Sequence, residues 1–242
     1  MPLPGTPGDN ARMLSLLHQD EHLVAIHKPP GLLVHRTGLD AGETRFAMQL
    51  LRDQLGRHVW PVHRLDKGTS GVLLFALDAD TARRVGQAFE QGHGLHKTYQ
   101  AVVRGWPADA GDIDHPLRRL PDDSRDTREL VQTAHTRYRT LARFTLPLPQ
   151  GPHPSTRLAR VALQPLTGRR HQLRRHMKHI AHPIVGDATH GKGPLNRDVA
   201  AHLGLQRLWL HATDLHLTHP VTGVALALHA PLGPEWGLWP EA

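Results

Sequence analysis

The sequence contains no cysteine. That excludes disulfides, thiolate zinc sites, iron–sulfur clusters and a cysteine nucleophile. Aromatic residues make up only 5% of the chain, and Tyr99 and Tyr138 are its only tyrosines, so few rings are available to stack on a ligand. No apolar run exceeds strand length, which argues against a transmembrane helix. Neither G-x-x-x-x-G-K-[ST] nor a post-strand G-x-G-x-x-G occurs, and no H-E-x-x-H or comparable histidine pair is framed by a carboxylate. No nucleotide-cofactor or metal site is therefore expected. Residues 1–11 are rich in proline and glycine but lack an apolar signal core. They read as a loose tail ahead of a single domain over 12–242, expected in the cytoplasm.

What is present is a globular composition: 242 residues, 39% hydrophobic and 21% charged. Twenty-nine Lys and Arg face 22 Asp and Glu, for a formal net charge of +7. Arginine dominates the cations, and its planar fork suits phosphates and base edges. Such a surface attracts polyanions. The 21 histidines are scattered and add positive charge only near pH 6.

LVAIHKP (23–29) reads as a strand closed by a Pro-Pro-Gly turn, and LLVHRTGLD (32–40) as a short strand and loop. Over 44–55, Ala47, Leu50, Leu51 and Leu55 share one face of an amphipathic helix that Gly56 can end. GVLLFAL (71–77) is a continuous apolar strand. Asp78 can cap the helix 79–90, whose inner face holds Ala82, Val85 and Phe89. Strands are expected over 97–105, 136–146 and 157–164, an exposed loop over 120–129, and a basic helix over 171–180. LHLTH and VALALHA flank a turn near Pro220 and Gly223 and form a hairpin. Strands outnumber helices without a regular alternation, which predicts a mixed α+β fold with a largely antiparallel central sheet flanked by helices.

Three segments carry chemistry. In HRLDKGTSG (63–71) the carboxylate of Asp66 has Arg64 and Lys67 close in sequence, and positive neighbours favour its ionised form. It suits a base or nucleophile better than an acid; an ordinary surface ion pair is the plain alternative. In HKTYQAVVRG (96–105) a strand puts Lys97 and Tyr99 on one face, and Tyr99 offers a ring for base stacking and a hydroxyl. In LQPLTGRRHQLRRHMKHIAHPIVGD (163–187) Arg169, Arg170, Arg174, Arg175 and Lys178 supply phosphate-contact chemistry, and one of them can pair with a buried carboxylate.

Taken together, and in order, these segments resemble the pseudouridine synthases of the large-subunit ribosomal RNA synthase A type. The likeness runs from about residue 14 to 229. H-R-L-D falls at 63–66, K-x-Y at 97–99, T-G-R-x-H-Q-L-R at 167–174, and HPIVGD follows at 182–187. Gly68 departs from the pattern, which has proline there. The resemblance implies the fold named above and no metal or organic cofactor. It makes Asp66 the catalytic aspartate, attacking C1′ or removing the 2′ proton. Arg64 becomes the side chain that fills the space of a flipped nucleotide. Tyr99 becomes the residue stacked on the target base, with its hydroxyl helping to deprotonate C5. Arg174 becomes the partner of the aspartate, with Arg169 as its rival. Lys97, Arg169 and His171 join Arg64 as substrate-binding residues. Within the family the likeness is greatest to enzymes acting on uridine 65 of transfer RNA that lack an amino-terminal S4 domain. The implied partner is structured RNA, transfer RNA first, with no membrane and no obligate protein partner. Large-subunit ribosomal RNA is the alternative substrate. Outside the class stand an RNA nuclease using Asp66 and histidines and a non-catalytic RNA-binding protein.

Overall fold

The computed structural model describes residues 13–35, 42, 44–91, 94–120 and 130–240. The tail expected over 1–11, the second half of the 32–40 segment and most of the 120–129 loop lie outside the described residues. In chain order the elements are β1 (Ser15–Gln19), β2 (Leu23–Lys28), α1 (Ala47–Leu55), β3 (Trp60–Pro61), β4 (Ser70–Ala76), α2 (Ala79–Gln91), β5 (His96–Arg104) and β6 (Ala110–Asp114). They continue with β7 (Leu117–Arg118), β8 (Val131–Gln132), β9 (His135–Leu146), β10 (Thr156–Pro165), α3 (Gln172–His179), α4 (Gly193–Leu203), β11 (Leu210–Thr218) and β12 (Ala225–His229).

One large sheet runs β1-β2-β4-β11-β5-β10-β9-β6, with β12 beside β11 and β3 beside β4. Its strand pairings are antiparallel except where β4 meets β11, at Ser70 with His211 and Gly71 with Ala212. Alternation along the strands builds a core on each face. From β2 and β4, Val24, Ile26, Leu73 and Phe75 pack with Ala47 and Leu51 of α1. Leu23, Ala25, Val72 and Leu74 pack the other way, with Val85 of α2. The β5–β10 half repeats the arrangement. Ala101, Val103, Val161 and Leu163 meet Leu173 and Met177 of α3, while Val102 and Leu158 meet Val199 of α4 and the cluster of Trp209, Trp236 and Trp239. Burying each of the larger aliphatic or aromatic side chains contributes about 1.5–3 kcal/mol.

Local signals explain the boundaries. Gly56 ends α1 with φ +64°. Asp78 accepts the backbone N–H of Thr81 at 2.8 Å and so starts α2. Two elements carry weaker signals than the sequence pattern needs. β1 is short and mostly exposed, and its turn depends on Asp20, which accepts the backbone N–H groups of His22 and Leu23. α4 presents only Leu195 and Val199 as buried residues. Among the described residues no helix is long and apolar enough to cross a membrane.

Gly71 sits where the two halves of the sheet join. Its φ is +111°, and a Cβ there would lie 2.1 Å from the carbonyl oxygen of Ala212. Gly71→Ala is therefore expected to destabilise the fold by about 2–4 kcal/mol, combining backbone strain with overpacking. A denaturant-unfolding midpoint unchanged from the parent would contradict this close approach.

Candidate active site

The HRLD segment leaves β3 and crosses to β4 with each side chain committed differently. His63 turns inward: its Nε2 accepts the backbone N–H of Leu74 at 2.9 Å, and its ring stacks on Phe89 with centroids 4.6 Å apart. Burial, assisted by the charge of Lys97, pushes His63 down to about 3, so it stays neutral and serves as an acceptor. Leu65 enters the α1-side core. Arg64 is exposed and lines the cleft described below. Asp66 is left facing the cleft with its side chain 21% exposed.

The loop beneath Asp66 is fastened from β2. Lys28 is fully buried and donates to the carbonyls of Pro29 at 2.8 Å, Leu32 at 2.7 Å and Lys67 at 3.2 Å. Burial pushes this lysine down to about 7, while the charge of Asp66 pulls it back up. Gly31 donates to the same Lys67 carbonyl at 2.8 Å. Gly68 packs under Leu208, since a Cβ at 68 would meet the Leu208 Cβ at 2.9 Å. A proline there would require Leu208 to move.

Arg174 comes to Asp66 from 108 residues away. It lies on the buried side of α3 with Leu173 and Met177, and its Nη1 donates to Asp66 Oδ2 at 2.8 Å. Its Nε and Nη2 both donate to Asp187, each at 2.8 Å. Burial works against the guanidinium charge, but the two carboxylates hold its pKa above the ordinary arginine value. Burial alone would raise Asp187. The bonds from Arg174 and from the backbone N–H groups of His190 and Thr189 hold it below the usual carboxylate range instead.

The T-G-R-x-H-Q element fixes how α3 begins. Thr167 Oγ1 accepts the backbone N–H of His135 at 3.0 Å and donates to Gln172 Oε1 at 2.7 Å. Gln172 returns its amide to the His135 carbonyl and the Thr136 hydroxyl. Arg169 donates from Nε to the Thr133 carbonyl at 3.0 Å, and Arg175 from Nη1 to the Arg118 carbonyl at 2.8 Å. Of the two arginines left as rivals by the sequence, Arg174 is the one that contacts Asp66. His171 stands beside the pair, its Nε2 3.7 Å from Asp66 Oδ1. Burial pushes His171 down to about 4, against an upward pull from Asp66.

Lys97 and Tyr99 project from β5 into the same cleft. Tyr99 pairs in register with Leu163 and Ala212 and packs against both the α1-side and α3-side cores. Burial, then the charge of Asp66, raises its phenol well above the usual tyrosine value. Lys97 is lowered by burial, with its ammonium 5.8 Å from the Phe89 ring. The cleft measures about 780 Å³, within the roughly 300–1,000 Å³ typical of small-ligand sites and ample for one nucleotide. Arg64, Arg118, Arg119, Arg169, Arg170, Arg174 and Arg175 line it with Lys97, against the carboxylates of Asp66 and Glu90. That balance suits a polyanion whose backbone passes the mouth. Among the described residues no three His, Asp or Glu side chains are grouped to hold a metal ion.

Sequence reasoning gave no role to Lys28, His63 or Asp187. Asp187 closes the HPIVGD segment, and its partner could have been sought among the arginines just upstream. Lys28 carried no signal, because a lysine ending a strand is ordinarily exposed.

Asp187→Asn removes half of a buried ion pair, which typically costs about 3–5 kcal/mol. A carboxyl held low in the folded state contributes stability above its unfolded value and loses it as pH falls. The parent is therefore expected to weaken below about pH 4, where free carboxyls titrate, and Asp187→Asn to show a shallower acid limb. Unfolding curves at pH 7 and pH 3 test both; parallel pH dependences would count against this anchor.

The sequence profile described as RNA pseudouridylate synthase matches residues 22–179. The tRNA pseudouridine synthase C of Yersinia pestis is 51% identical over 228 residues, covering 93% of this chain and 88% of that protein. The Vibrio cholerae protein of the same name is 49% identical, covering 93% of each. Among solved structures, human RNA Pseudouridylate Synthase Domain Containing 4 superposes with a TM-score of 0.67 at 30% identity, over 93% of this chain and 90% of that one. Human RNA Pseudouridylate Synthase Domain Containing 1 gives 0.70 at 25% identity, over 95% and 86%. Likeness of this breadth, in sequence and in fold, makes the chain a member of the RNA pseudouridylate synthase family.

Proposed function

We propose that the protein isomerises uridine to pseudouridine in transfer RNA, at position 65, with Asp66 as the catalytic carboxylate. The observation that carries the reading is the asymmetry of that carboxylate. Oδ2 is occupied by Arg174 at 2.8 Å, while Oδ1 lies 3.7 Å from His171 Nε2, and the carboxylate lines a cleft with Tyr99 and several cations. Arg174 keeps Asp66 oriented, as a nucleophile or base requires. The reaction breaks N1–C1′, turns the uracil and joins C5 to C1′; the C5 proton is lost and N1 gains one in its place. No atoms are gained or lost, so neither water nor a redox partner enters the balance. Asp66 acts at the sugar, by attack on C1′ or removal of the 2′ proton.

Tyr99 supplies a flat face for the detached uracil. Its phenol is protonated at neutral pH, so it can take up the C5 proton only by passing its own proton onward. Asp66 is a carboxylate close enough for its charge to raise the phenol pKa. Arg64, exposed beside Asp66, is positioned to enter the space vacated when the target nucleotide leaves its stack. The transfer-RNA substrate rests on the names of the relatives and on the basic cleft. A-form RNA is read through its backbone and an opened base rather than through its deep major groove. The reading places the protein in the cytoplasm with that substrate.

The test uses purified protein with unmodified transfer RNA and large-subunit ribosomal RNA transcripts, followed by site-resolved mapping of pseudouridine. Pseudouridine at position 65 of the transfer RNA is expected. Modification confined to ribosomal RNA would reject the substrate while keeping the chemistry. RNA cut into fragments would favour a nuclease instead.

Asp66→Asn keeps shape and RNA affinity and is expected to lower the single-turnover rate by several orders of magnitude. A rate within about tenfold of the parent, roughly 1.4 kcal/mol of barrier, would remove Asp66 from the chemistry.

Tyr99→Phe preserves the stacking area and removes the hydroxyl; it should bind RNA but turn over poorly. Full activity in Tyr99→Phe with loss in Tyr99→Leu would leave only the stacking role.

A further inference from the structure

His171 occupies the N-cap of α3 with φ +54°, and its side chain makes no capping bond. Non-glycine residues seldom adopt that conformation, and a strained backbone at a cleft is a pointer to use. The imidazole is held elsewhere: Nδ1 lies 3.0 Å from Nε2 of His190. His190 donates its backbone N–H to Asp187 at 2.9 Å. The carboxylate that anchors Arg174 thus also positions the ring that orients His171.

Both rings are held in the neutral form by burial, so each carries one N–H. Were the His171 hydrogen on Nδ1, its Nε2 lone pair would face the negative Asp66 Oδ1. The favoured arrangement has His190 Nε2–H donating to His171 Nδ1, and His171 Nε2–H pointing toward Asp66. The 3.7 Å between His171 Nε2 and Asp66 Oδ1 is too long for a direct hydrogen bond. An oxygen beside this gap, on the cleft side, at about 2.9 Å from the nitrogen and about 2.7 Å from the carboxylate, can bridge the two. That oxygen must accept from His171 and donate to Asp66, which a substrate hydroxyl can do in place of water.

We propose that this hydroxyl is the 2′-OH of the target nucleotide, and that His171 is a specificity-determining residue that makes the site require ribose. The inference rests on the pseudouridine synthase reading and sharpens it. The 2′-OH sits on the carbon next to C1′, so a carboxylate working at C1′ or C2′ comes within reach of it. It is both donor and acceptor, and it is the group by which a protein tells RNA from DNA at a given nucleotide. His171 donates to it, Asp66 Oδ1 accepts from it, and Arg174 keeps Oδ2 out of the exchange.

The test compares two stem-loop RNAs that differ only at the target uridine, ribo in one and 2′-deoxy in the other. Single-turnover rates and dissociation constants are measured for the parent, His171→Ala and His171→Gln, with thermal melts to check folding. The parent should favour the ribo substrate by about tenfold or more, the scale of one lost hydrogen bond to a charged or strongly polar group. His171→Ala should lose that factor on the ribo RNA and change little on the 2′-deoxy RNA. His171→Gln, whose amide can donate, should keep part of the preference. An equal fall on both RNAs would assign His171 to shaping the start of α3 and overturn the proposal, as would a parent that does not discriminate. If the 2′-deoxy RNA is not turned over by any of the proteins, the ratio of dissociation constants decides by the same pattern. Absence of pseudouridine from the ribo RNA with the parent protein would reject the parent reading instead, and the binding ratios would still judge the ribose contact.

Discussion

The site depends on one guanidinium shared between two carboxylates. Arg174 gives Nε and Nη2 to Asp187 and Nη1 to Asp66. Only a planar fork can satisfy both carboxylates at once, and a lysine ammonium, a single point of charge, could not hold the same geometry. The group is 8% exposed and Asp187 only 2%, so water screens these bonds little. The bidentate side fixes the arginine, and the single remaining bond fixes one oxygen of Asp66. The other oxygen is left on the cleft side, with His171 Nε2 3.7 Å away.

Around that bridge, each half of the sheet supplies one side of the site. The β2–β4 half carries Asp66 on a loop pinned by Lys28 and by the His63 bond to Leu74. The β5–β10 half carries Tyr99 and, through α3, Arg174 and His171. The two halves meet at β4–β11, where Gly71 lets the backbones approach closely. A site assembled across that join responds to small shifts in either half, and rigid elements on both sides keep Asp66 within hydrogen-bond reach of Arg174.

Much of this was legible in the chain itself. The apolar run at 71–77, the helical period over 79–90 and the alternation over 97–105 correspond to β4, α2 and β5 within one residue at either end. Capping by Asp78 and the glycine stop at Gly56 were readable because these signals are local. β1 and α4 were not. β1 buries too little to show alternation, and α4 opens with Gly193 and Pro194 and buries only two apolar positions. Its stability comes from Trp209 and the carboxy-terminal tryptophans, which only the fold brings there.

The sequence by itself determined the chemistry available: a carboxylate in HRLD, a tyrosine in K-x-Y, and five Arg and Lys side chains over residues 169–178. It also determined a mixed fold, because the strand and helix periods are written locally. Tertiary structure decided which cation meets Asp66. Arg169 precedes the helix and turns to the Thr133 carbonyl, whereas Arg174 shares the buried side of α3 with Leu173 and Met177. It also decided that His171 faces Asp66 and that Lys28 is buried beneath the loop. Each of these contacts joins residues 36 or more positions apart or depends on a helix phase set by packing. Long-range geometry of that kind is fixed by the sheet as a whole, and local spacing carries no record of it.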